Sequence, residues 1–245
     1  MRLGADVEAR IDAVGQGLAV ALGANAVCVA VYGSAASQEF APSHSDVNLV
    51  VVLEHVSFAD LRLIGTTLER LAPRDLRFAT PLVIRTGFLA NARDSFPIEL
   101  ADLHDRHRVI AGRDVLAGVH VSPDRLRVEA ERESRGKLLR LRSLVVHRPP
   151  DAVVHQALAG VEKTFAVLAR ALLKARGVDA AGLAGAALFA ALSRDGTLSL
   201  RILPALAEMR DALRPWPTGA NLDELLAALL AEIEALVAFI DSAHA

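Results

Sequence analysis

The sequence predicts an α+β chain: a small mixed β-sheet with flanking helices over residues 1–120, then an all-α helical bundle over 121–245. Three observations carry this. Short valine-rich runs alternate with helically spaced segments in the first half. Strand signals cease after about residue 115. Beyond Ser122, alanine and leucine dominate at helical spacing.

Taken in order, residues 5–22 put Val7, Ile11, Val14 and Leu18 on one side of a helix. NAVCVAVY (25–32) and VNLVVVLE (47–54) are almost continuously apolar, as central strands covered on both faces are. SFADLRLIGTTLERLAPRD (57–75) reads as a helix capped by Ser57, with Asp60 at the third helical position. FATPLVIRTG (78–87) reads as a strand, FPIELADL (96–103) as another, and RVIAG (108–112) as a short one.

Ser122-Pro123 is a cap and first-turn pair that opens one long helix to His147. Glu131 with Arg135, and Glu133 with Lys137, are spaced to pair along its surface. Pro149-Pro150 breaks it. A second helix covers 151–175 and ends at Arg176-Gly177. Further helices are expected at 180–193, 204–214 and 222–243.

The 53% hydrophobic content supplies a sizeable core, and 27 basic against 29 acidic residues argue against general nucleic-acid binding. A single cysteine, Cys28, excludes an internal disulfide framework and reads as a small core residue. The N-terminal residues lack the apolar core of a signal peptide. The apolar segment 222–240 carries Asp223, Glu224, Glu232 and Glu234, which argues against a membrane span. The expectation is a soluble cytoplasmic protein, with helix 222–243 available for a homodimer.

VYGSAASQEFAPSHSDVNLVVVLE (31–54) is the most informative stretch. Gly33-Ser34 stands where a strand gives way to a short helix. There, glycine allows close backbone approach and unpaired N–H groups favour phosphate. Alternation along the next strand sends Asp46 and Asn48 to one face and Val47 to the other. If the two strands are neighbours, the cradle and the Asp46/Asn48 pair face each other. That arrangement suits a Mg²⁺-nucleotide.

Residues 31–53 resemble the signature of the nucleotidyltransferase superfamily: Gly-Ser, roughly ten residues, then Asp-apolar-Asp or Glu before an apolar run. Gly33, Ser34, Ser45, Asp46 and Val47 match. Gln38 stands where small bacterial members usually have a loop glycine, and Asn48 replaces the second carboxylate. The resemblance implies a palm-like fold over about 10–112 and two metals held by carboxylates. It also implies transfer of a nucleoside monophosphate from an NTP, with ATP favoured, to a hydroxyl of a small-molecule or protein acceptor. Gly33, Ser34 and Ser45 would bind nucleotide; Asp46, Asn48 and Glu99 would hold Mg²⁺ or Mn²⁺ and carry the chemistry. Glu99 is preferred to Asp102 as third carboxylate because it lies mid-strand between Ile98 and Leu100. Loss of one negative charge at Asn48 raises an alternative: an attenuated protein of the same fold that binds nucleotide or a partner without turnover.

Other candidates have plainer readings. His104-Asp105-Arg106-His107 reads as a solvated turn without the geometry of a zinc site. The arginine-rich helix from Arg125 to Arg148 reads as a solvated face laced with ion pairs, Arg132 and Arg135 sharing one side. Arg142 and His147 are similar in spacing to an element of helical ribonuclease toxins, but Ser143 departs from it. His44 reads as a solvated loop residue, and Trp216 as the packing anchor of a turn.

Overall fold

The computed structural model describes residues 4–36, 40, 46–91, 95–180, 182–211 and 214–242, with Ala90 and Asp211 described by backbone only. The chain divides into two compact units, Met1–Val121 and Ser122–Ala245.

The first unit runs α1 (Ala5–Leu22), β1 (Ala26–Tyr32), β2 (Asn48–Leu53), α2 (Phe58–Leu71), β3 (Leu82–Arg85), α3 (Thr86–Asn91), α4 (Pro97–Asp105) and β4 (His107–Gly112). The strands form one mixed sheet in the order β3-β2-β1-β4. β1 is antiparallel to β2 and β4, and β2 is parallel to β3. Alternation splits the valine-rich strands between two cores. Val29, Val31, Leu49 and Val51 meet α1 and α2, while Ala30, Val50 and Val52 meet Leu100 and Leu103 of α4. α1 lies close to β4: a Cβ on Gly15 would come within 2.7 Å of Ile110. Ser57 caps α2 with the expected reciprocal box, its Oγ accepting from the Asp60 N–H at 3.2 Å and its own N–H donating to the Asp60 carboxylate at 2.9 Å.

One strand expectation fails here and another is shortened. Residues 97–105 are helix α4, not strand. Pro97 takes a first-turn position, where its missing N–H costs nothing, and Ile98, Leu100, Ala101 and Leu103 are buried. The strand expected from Phe78 is short. Phe78 reaches β2 only through an isolated bridge to Val47, Pro81 lacks an N–H, and β3 proper covers Leu82–Arg85.

The second unit contains α5 (Pro123–His147), α6 (Asp151–Ala175), α7 (Gly185–Leu192), α8 (Ile202–Asp211) and α9 (Gly219–Ser242). α5 packs on α6 and α9. Leu126, Leu141, Leu158, Phe165, Phe189, Leu229 and Ile233 are buried. Leu226, Leu229, Ile233, Leu236, Val237 and Ile240 of α9 are buried within the chain. Buried Glu232 of α9 caps the start of α8, accepting the N–H groups of Arg201, Ile202 (2.7 Å) and Leu203 (2.8 Å). Among the described residues no helix is long and apolar enough to cross a membrane.

Candidate functional site

The described motif residues Gly33, Ser34, Asp46 and Asn48 lie at one end of the sheet. β1 ends at Tyr32, and Gly33 turns the chain with φ 71°, a left-handed value that glycine adopts without strain. A short 3₁₀ turn, Gly33–Ala36, follows and contains half-buried Ser34. The Gly33 N–H donates to the Arg106 carbonyl at 2.9 Å, so the end of α4 holds the turn. Ser45, expected to bind nucleotide, and the loop residues Gln38 and His44 lie outside the described residues.

Strand register brings Asn48 to the turn. Tyr32 stands directly opposite Asn48, and a Cβ on Gly33 would lie 3.4 Å from the Asn48 amide nitrogen. Asp46, one residue before the Val47 bridge, is joined by a residue that the sequence reading passed over. The Arg77 Nε lies 3.1 Å from Asp46 Oδ1, with the two side chains 61% and 47% exposed. Arg77 is rooted firmly. The Val47 N–H donates to its carbonyl at 2.7 Å, and the Ala79 N–H donates to the Val47 carbonyl at 3.0 Å. The signal in the sequence was RFAT entering a strand parallel to β2, which needs the crossover through α2 before it can be seen.

The strand on which Glu99 was preferred does not exist. Glu99 lies in the first turn of α4 with an exposed side chain. Asp102, one turn later, is turned inward and holds Arg106 bidentately at 2.8 and 2.9 Å. Burial pushes the Tyr32 phenol up, and the Asp102 charge adds to it.

The turn expected to be solvated at 104–107 is largely enclosed. The His107 side chain is 9% exposed. Its Nδ1 faces the His104 carbonyl at 3.1 Å and its Nε2 faces the Asp114 carboxylate at 3.0 Å. Partial burial works against the Asp114 charge. The Ala117 and Leu116 N–H groups and His107 outweigh it, holding the carboxyl below its ordinary range. In the helical unit, Arg142 reaches Glu234 at 2.7 Å and His147 Nδ1 lies 2.9 Å from the Ser143 carbonyl. The His155 and Trp216 rings stack 6.0 Å apart.

A two-metal centre needs several anionic oxygens converging on two ions. Here the mouth of β2 offers one carboxylate already facing a guanidinium, and a neutral amide. Among the described residues no three His, Cys, Asp or Glu side chains are grouped to hold a metal. This donor set does not fit a two-metal site.

No family model and no curated protein matches the chain. Among solved structures, a spectinomycin adenyltransferase from Enterococcus faecialis, determined with ATP and spectinomycin, is similar over 93% of this chain and 99% of its own. The TM-score is 0.60 and the identity 12%. The chain has the nucleotidyltransferase fold. At this identity the likeness is one of fold. β1 and β2 are neighbours, which is the condition under which the turn at Gly33 and the start of β2 were expected to come together.

Proposed function

We propose that this chain is a nucleotidyltransferase-fold protein that binds a nucleoside triphosphate, ATP foremost, at the Gly33–Asn48 end of its sheet without turning it over. One observation carries the reading: Asp46 faces Arg77 where the resemblance would put a metal, beside the neutral Asn48. Half-buried Ser34 in the Gly33–Ala36 turn supplies the phosphate side, while the Gly33 N–H is spent on the Arg106 carbonyl, which with Asp102 holds that turn in place.

A second reading keeps the chemistry: transfer of a nucleoside monophosphate from an NTP to a hydroxyl of a small molecule or protein. The neighbour's ATP and spectinomycin favour it. It requires Mg²⁺ or Mn²⁺ held by Asp46 and Asn48, and Glu99 to reach them from α4. Both readings are of a protein in the cytoplasm.

Thermal unfolding with each of the four nucleoside triphosphates, beside a pyrophosphate-release assay with Mg²⁺ or Mn²⁺, tests them. The binding reading expects ATP at 100-fold over its Kd to add about 2.7 kcal/mol, a rise of several degrees in Tm, with no pyrophosphate released. Metal-dependent pyrophosphate release by the natural chain would replace it with the second reading. No shift with any nucleotide would sink both.

A further inference from the structure

We propose that Arg77 is the cation that answers the triphosphate at this site, so that nucleotide binding needs no divalent metal. This rests on the nucleotide-binding reading above and adds to it the residue that carries the charge.

A pair of carboxylates at the mouth of β2 would repel a polyphosphate until a metal came between them. In this chain the second position is the neutral Asn48, and the single charge of Asp46 is matched by Arg77. The formal charges of Asp46 and Arg77 cancel, so the protein side of the strand mouth does not itself call for a cation.

Position is the next point. The Arg77 backbone is fixed beside Val47 by the 2.7 Å hydrogen bond and the Val47–Phe78 bridge, so the guanidinium starts one residue from the motif. The Arg77 and Asp46 side chains are about half exposed, so a phosphate can reach them. Arg77 turns its Nε to Asp46, and the two Nη groups carry four further N–H donors in the planar fork that matches phosphate oxygens. An exposed pair of this kind is weakly held, and a phosphate can take over part of it.

The experiment is calorimetric titration of the full-length chain with ATP, in EDTA and in Mg²⁺, for the natural protein, Arg77→Ala and Arg77→Lys. The Kd in EDTA is expected within about threefold of that in Mg²⁺. Arg77→Ala is expected to weaken binding in EDTA by about tenfold or more, and Arg77→Lys to recover part of it by keeping the charge without the fork. Unfolding of the ligand-free variants at the natural Tm shows that the fold is intact. Binding by the natural chain only when Mg²⁺ is present would overturn the inference and leave the nucleotide reading standing. Undiminished binding by Arg77→Ala in EDTA would also overturn it. No binding in either buffer would overturn the nucleotide reading itself.

Discussion

At the α4–β4 corner, Asp102 and Arg106 are 15% and 7% exposed and joined by two near-ideal hydrogen bonds. At the mouth of β2, Asp46 and Arg77 are 47% and 61% exposed and meet through one nitrogen. The chemistry is the same and the settings differ. Where water is excluded, removing one partner strands a charge, so the pair is fixed in place. Where water has access, either group can exchange its partner for another at little cost. The enclosed pair therefore suits holding the Gly33 turn, and the open pair suits meeting a ligand.

The comparison breaks most readily at the enclosed pair. Asp102→Ala is expected to lower unfolding stability by about 3 kcal/mol in urea titration, since it leaves Arg106 buried beside a lost carboxylate. A loss no larger than that of a surface substitution would show that the corner is not held as described.

Asp114 sharpens the comparison through pH. Its folded pKa lies below the ordinary 3.8, so the unfolded chain takes up the proton first. The stability it contributes is full above the unfolded value and is lost as pH falls through the folded one. Asp114→Asn is expected to flatten the decline in stability between about pH 5 and pH 3 relative to the natural chain, read by chemical denaturation at each pH. Identical slopes would remove Asp114 from the acid response.

The smallest effect belongs to the open pair. Asp46→Ala is expected to change stability by less than about 0.5 kcal/mol in the same urea titration. A large loss would mean that Asp46 and Arg77 hold the fold together and are not poised for exchange.

Much of this was legible in the sequence. α1 and α6 announce themselves through helical spacing and clear ends, and β1 and β2 through continuous valine runs. Gly33 and Asn48 come together only if β1 and β2 are neighbours, which the sequence left conditional and the sheet order supplies. FPIELADL misled because Phe96, Ile98 and Leu100 alternate like a strand, while Pro97 was the first-turn signal that helix α4 obeys. Arg77 and His107 were hidden for another reason. Each acquires its role from a partner on a different element, Asp46 before β2 and Asp114 after β4, and no local pattern records such a meeting.

The Glu232 carboxylate at the start of α8 has a consequence for the order in which the chain takes shape on the ribosome. Ile202 emerges thirty residues before the group that receives its N–H. Until α9 is made and docks, the first turn of α8 has only water for those donors, and the helix frays from that end. The last helix thus completes an earlier one, and nascent chains cut short before Glu232 should show α8 as the segment a protease finds first.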